Sequence, residues 1–268
     1  MPGDAPVVVV CRTGEEDLAR SRGADLRAEA IVALPEGTPW LEARLRPAAP
    51  EPPALAVVGA AGGVGTSTVA IAAAVSSPGA ILVDLDPDGP GISVPLGLDD
   101  RAGVGWSELP DARSQIDSDS LMAVLPTADG HAVVAGPPAA DAHSRIGPVL
   151  SSLRSGSGPL VVDLGRRDHF GVLRPDDVLV VAVPGSVGGV VAARRLIARA
   201  GVGRVVLAVR DTGWVPRGQV TAELGGLPSV TVPSLRRAAE LAECGQLLSG
   251  GTLRSLRSFG EQLWAAAA

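Results

Sequence analysis

The stretch that most constrains this chain is Leu55 to Ala70, LAVVGAAGGVGTSTVA. An apolar run ends in a glycine-rich loop, and Ser67 opens an alanine-rich segment that reads as a helix. A strand that hands a glycine loop to a helix N-terminus has the layout of a P-loop, where backbone N–H groups and the helix end together cradle phosphate. The glycines let the backbone approach an anion closely and adopt φ > 0. Ser67 stands where the pattern places a Mg²⁺-binding hydroxyl.

The loop departs from that pattern in its charges. Thr66 occupies the position of the phosphate-binding lysine, and Ala60 that of the first glycine. There is no lysine anywhere in the chain, so all 23 basic residues are arginine. A planar guanidinium fork is not interchangeable with an ammonium at a tight phosphate site.

The run Gly62-Gly63-Val64-Gly65 followed by Thr66, Ser67 and Thr68 resembles the deviant Walker A loop of the MinD/ParA group of P-loop ATPases. The resemblance implies an α/β, P-loop NTPase-like fold: a mostly parallel sheet with helices on both faces. It implies that residues 62–68 bind ATP or ADP with Mg²⁺, weakly if the missing charge is not replaced. In this group a signature lysine precedes the paired glycines and reaches across a dimer; Ala61 stands there.

Two later strands extend the likeness. Ile81 to Pro87 is an apolar run ending in Asp84-Leu85-Asp86-Pro87, at the carboxyl edge where open α/β sheets bind ligands. Carried over from the family, Asp84 acts on Mg²⁺ indirectly and Asp86 orients the attacking water. Leu160-Val161-Val162-Asp163 matches a Walker B strand, with Asp163 a second indirect metal residue. Arg210 replaces an asparagine that reads adenine in the family, and Pro233 lies in the segment that closes over the base. The resemblance therefore assigns Arg210 and Pro233 to the nucleotide site and puts adenine specificity in doubt.

The remaining segments divide the chain. Residues 1–46 read as β-α-β-α and resemble the closing part of a receiver-like domain, a truncated unit without a locatable phosphoacceptor. Residues 47–54 form a proline-rich linker, and 55–268 form the MinD/ParA-like domain. Leu121–Pro126 and His131–Gly136 read as an edge hairpin or a short strand pair, and Val230–Pro233 followed by Leu235–Leu248 resembles the family's loop and helix that close over the base. The last helix, from about Thr252 to Ala267, places Leu253, Leu256, Phe259, Leu263 and Trp264 on one stripe. That stripe suits packing on its own domain, or peripheral membrane contact as at the end of MinD.

Bulk properties narrow the partners. A net charge of −6 gives no electrostatic footprint for nucleic acid, although the segment from Arg194 onward carries 10 arginines against 5 acidic residues. Cys11 and Cys244 obey no metal or redox spacing, which points to a reducing cytoplasm with buried thiols. No leader or apolar span is evident.

Within the group, a loop that keeps its glycines and hydroxyls but drops its lysines resembles the actinobacterial CpaE/TadZ-like and septum-site-determining (Ssd) proteins. The function implied is a spatial-positioning protein for Tad-type pilus or secretion-machine assembly, with a pilus or secretion ATPase as partner and any homodimer independent of ATP. Other readings stand beside it: a septum-site-determining cell-division regulator with weak ATPase activity, a true ATPase whose missing lysines are replaced by arginines from elsewhere such as Arg101 or a partner's residue, and a ParA-like DNA-associated partition factor.

Overall fold

The computed structural model describes residues 7–26, 28, 30–45, 52–99, 103–109, 117–136, 143–156, 158–166, 169–235 and 237–268. Chain contacts separate Met1–Pro50 from Glu51–Ala268. Most of the proline-rich segment, and Arg101, lie outside the described residues.

In the first unit, strand β1 (Val8–Arg12) leads through helix α1 (Glu16–Asp25) to β2 (Ala30–Leu34) and helix α2 (Thr38–Leu45). The two strands pair in parallel, Val8 opposite Ala30 through Arg12 opposite Leu34. Cys11 is half-buried in this pair, while Cys244 of the second unit is exposed. The expectation of two buried thiols is corrected by Cys244, which lies just beyond a short surface helix rather than in a core.

The second unit begins with β3 (Leu55–Gly59), α3 (Thr66–Val75), β4 (Ile81–Asp84) and the short α4 (Ser93–Leu96). It continues with α5 (Ser118–Val124), β5 (Thr127–Ala128), β6 (His131–Val134), α6 (His143–Arg154) and β7 (Leu160–Asp163). Then come β8 (Val178–Pro184), α7 (Val187–Ala200), β9 (Arg204–Arg210), α8 (Arg217–Glu223), β10 (Ser229–Val232), α9 (Ala238–Glu243) and α10 (Gly250–Ala267). Among the described residues these strands form one sheet in the order β10-β9-β8-β3-β7-β4-β6-β5. All neighbours are parallel except β5 and β6.

The sheet is buried on both faces, as its unbroken apolar strands require. Side chains alternate along β3: Ala56 and Val58 enter one core with Ile146, Leu153 and Leu196, while Leu55 and Val57 enter the other with Ile71, Phe259 and Leu263. On the second face the small residues of α3 let α10 approach closely. Leu256, Phe259 and Leu263 of α10 are buried, and Trp264 Nε1 donates to Ala73 O at 2.9 Å. The stripe offered by the sequence to a membrane is therefore covered by the protein's own α3. No helix among the described residues is long and apolar enough to cross a membrane.

At the amino edge of the sheet a buried ion pair ties three segments together. Asp177 accepts both guanidinium nitrogens of Arg154, at 2.7 and 2.6 Å, and the backbone N–H groups of Ala54 and Arg174 at 2.8 Å each. A buried carboxylate saturated in this way holds the starts of β3 and β8 in register.

One local reading is corrected. Leu121–Val124 belongs to α5 rather than to a strand, because Asp117 caps that helix by accepting the Ser120 N–H at 2.8 Å while Leu121 buries its side chain. The edge hairpin is shorter, β5 with β6. Among the described residues between Leu235 and Leu248, the expected helix runs over Ala238–Glu243 and is ended by Gly245 in the left-handed region.

Candidate functional site

The site lies at the carboxyl edge of the central strands, where β3 stops at Gly59 and α3 begins at Thr66. Gly63 and Gly65 take φ of +69° and +96°, which an L side chain would strain. The loop is tied down at its start: Gly59 N donates to Gly165 O at 2.8 Å and Ala60 N to Ala182 O at 2.9 Å. Beyond that anchor, none of the backbone N–H groups from Ala61 to Thr68 has an acceptor among the described residues. Eight consecutive donors thus converge on a helix N-terminus, the arrangement that binds anions.

A cleft of about 190 Å³ opens on this loop, lined by Gly63, Gly65, Ser67, Thr68, Asp86 and Arg166 among others. Thr66, in the lysine's place, also borders it but is only 8% exposed, its hydroxyl folded against Gly59.

Three carboxylates lie at or near the cleft: Asp86 lines it, and Asp84 and Asp163 are buried at the ends of adjacent strands. Asp84 and Asp163 are register partners on β4 and β7, and neither is exposed. Asp84 Oδ1 accepts the Asp86 N–H and Oδ2 the Ile92 N–H, both at 2.9 Å, so this side chain folds the segment after β4. Burial, and then the charge of Asp163, push its pKa up to about 7. Burial pushes Asp163 up to about 6, while the Ser67 hydroxyl beside it and the Gly165 N–H pull it back. Asp163 Oδ1 accepts that N–H at 2.9 Å, but Oδ2 is buried with no hydrogen-bond partner. Asp86 is half-buried and packs on Gly165, at φ +59°, where any Cβ would collide with its carboxylate.

The donor set fits a divalent cation. An unpaired buried carboxylate oxygen, a hydroxyl beside it and a second carboxylate on the next strand are hard oxygen ligands of the type Mg²⁺ takes, directly or through water. Among the described residues no cluster of three or more His, Cys, Asp or Glu forms a metal cage.

Of the residues singled out from sequence, the fold brings together Gly62, Gly63, Val64, Gly65, Thr66, Ser67, Thr68, Asp84, Asp86 and Asp163. Arg210, at the end of β9, reaches the same loop: its Nη1 donates to Val64 O at 3.3 Å. Pro233 lies elsewhere, in an open groove with Thr231, Arg254, Ser255 and Phe259. Arg166 was missed by sequence reasoning. It follows the Asp163 strand by three residues, but nothing in the sequence states which loop flanks which.

No family model matches the chain. Two uncharacterized proteins of Mycobacterium tuberculosis, MT3760 (strain CDC 1551 / Oshkosh) and Rv3660c (strain ATCC 25618 / H37Rv), are each 31% identical over 219 residues. The match covers 76% of this chain but 59% of each relative, so the chain spans about three-fifths of their length. Among solved structures, a ParA family ATPase from Chlorobium tepidum TLS matches with TM-score 0.63 at 18% identity, covering 80% of this chain and 97% of that one. The cell division ATPase MinD of Pyrococcus furiosus matches at 0.60 and 15%, covering 80% and 99%. The septum site-determining protein MinD of Pyrococcus horikoshii, complexed with Mg-ADP, matches at 0.56 and 13%, covering 79% and 95%. The chain has the fold of the MinD and ParA P-loop ATPases.

Proposed function

We propose that this chain is a spatial-positioning protein of the MinD/ParA kind that holds a Mg²⁺-bound adenine or related nucleotide and hydrolyses it poorly. The observation that carries this reading is the row of eight unpaired N–H groups beside the unpartnered Asp163 oxygen. The first suits a phosphate chain and the second its cation. Residues 62–68 would hold the phosphates, with Ser67, Asp84 and Asp163 around the cation. Bound Mg²⁺ would neutralise phosphate charge. The fold relative that carries Mg-ADP supports this choice of ligand.

Asp86 lines the cleft, which supports a role for it in orienting a water. A lysine on the transferring phosphate is absent from this loop, and removing one preorganised donor from such a site costs on the order of 10²–10³ in rate. Slow turnover suits a scaffold whose ligand marks or stabilises a state. The system it positions is, on the CpaE/TadZ resemblance, a Tad-type pilus or secretion machine, with that machine's ATPase as partner. The test is a fluorescent fusion in cells. Discrete foci that disperse in Asp163→Ala support a ligand-dependent positioning role, and foci identical in both forms, or a diffuse wild type, would count against it.

A further inference from the structure

The cleft presents a charge problem. Asp86 lines it, and Asp84 and Asp163 are buried at the ends of the neighbouring strands, so an entering phosphate chain meets one carboxyl group, with two more buried nearby, and no lysine. Among the described residues lining the cleft, Arg166 is the only cation. Its side chain is exposed, makes no ion pair or hydrogen bond among the described residues, and lies over the start of the loop: a Cβ on Gly62 would stand 3.5 Å from its Nη1.

Arg210 approaches from the other side. A Cβ on Gly65 would stand 3.2 Å from its Nη1, and beyond the bond to Val64 O its remaining guanidinium donors have no acceptor among the described residues. The sheet order explains the pincer. Strand β3, which carries the loop, is flanked by β7, whose following turn bears Arg166, and on the other side by β8 and then β9, whose last residue is Arg210. The two guanidinium groups therefore bracket the row of N–H donors at Gly62 and at Gly65.

We infer that Arg166, assisted by Arg210, supplies from within one chain the positive charge that the lysine-free loop lacks, making the pocket complete for a nucleoside di- or triphosphate without a second copy. This rests on the nucleotide reading above and adds to it the groups that hold the phosphates. A guanidinium offers two parallel N–H donors to a phosphate, so an exposed arginine without a partner among the described residues is chemically suited to that capture. Arg166 sits nearest the position from which Ala61 cannot act, and Arg210 is thereby a phosphate-facing residue rather than a reader of the base.

The experiment is calorimetric titration of the full chain with MgATP, MgADP and AMP, on the wild type, Arg166→Gln, Arg166→Lys, Arg210→Gln and the control Arg204→Gln, at the amino end of β9 and so on the opposite edge of the sheet. The wild type is expected to bind MgATP and MgADP and to bind AMP at least tenfold more weakly. Arg166→Gln should weaken MgADP at least tenfold, Arg210→Gln at least threefold, Arg166→Lys less than Arg166→Gln, and Arg204→Gln not at all. Because Arg166 is exposed and has no partner among the described residues, its variants should melt with the wild type. Unchanged affinity in Arg166→Gln and Arg210→Gln, or AMP binding as tightly as ADP, overturns this inference and leaves the nucleotide reading standing. No binding of any probe to the wild type overturns both.

Discussion

Asp84 and Asp163 face one another across the β4–β7 pair, both fully buried, and the charge on Asp163 raises the pKa of Asp84. Two carboxylates so placed are costly when ionised and unaccompanied, which is the condition of a site built for a cation rather than for stability.

That relationship sets a pH dependence. The folded pKa of Asp163, about 6, is above its ordinary value of 3.8. A raised carboxylate contributes stability that is present below the ordinary value and is lost as pH rises through the folded value. Without Mg²⁺, Asp163→Asn should therefore be more stable than the wild type at pH 8, by roughly 1–3 kcal/mol, and equal to it near pH 4. Mg²⁺ should raise the melting temperature of the wild type at pH 8 and not that of the variant. Thermal melts at the two pH values, with and without Mg²⁺, check both statements.

Arg154→Ala should be far more damaging than its distance from the cleft suggests. It leaves Asp177 buried and charged with only backbone partners, a loss of about 3–5 kcal/mol. Urea unfolding measures it. A change under 1 kcal/mol would mean that water or relaxation replaces the guanidinium.

Gly260→Ala tests the docking of α10. A Cβ there would run into Ala72 O and the Ser76 hydroxyl of the α3 segment. Overpacking of this kind costs about 1–3 kcal/mol. The variant should also release the apolar stripe, so it should sediment with anionic vesicles more than the wild type does. Equal pelleting of both would show that the stripe stays covered.

Restoring charge should raise affinity without repairing catalysis fully. Thr66→Lys places an ammonium at the loop and should tighten MgATP binding by about tenfold, the worth of one charge-assisted hydrogen bond. Titration checks it. No gain would mean that the pocket behind Thr66, packed against Gly59, cannot take the longer side chain.

Much of this was legible from residues because the strands announce themselves. Uninterrupted apolar runs ending in Gly59, Asp84 and Asp163 fit a parallel sheet buried on both faces, and each run delivers its last residue to one edge. The edge hairpin was misplaced because Leu121–Leu125 is apolar enough for a strand, and the Asp117 cap that makes it a helix is a single side-chain contact. Arg166 was invisible for a different reason. Its meaning depends on β7 lying beside β3, and lateral strand order is not written in any one strand. Arg210 ends β9, and its length lets the guanidinium turn back onto Val64 O, a contact that its place in the sequence does not announce.

Assembly offers another outcome to check. Ala61 cannot reach a neighbouring molecule's phosphate, so the mass measured by sedimentation should be the same with and without ATP. A monomer that dimerises only when ATP is added would show that another residue bridges two copies.

That the lysine-free loop still holds a nucleotide is tested most directly by equilibrium titration of the wild-type chain with ADP at pH 8, with and without Mg²⁺. The expected result is saturable binding of one ADP per chain that is tighter with Mg²⁺, and whose Mg²⁺ dependence disappears in Asp163→Asn. Absence of saturable binding up to millimolar ADP, with the protein folded, would contradict it.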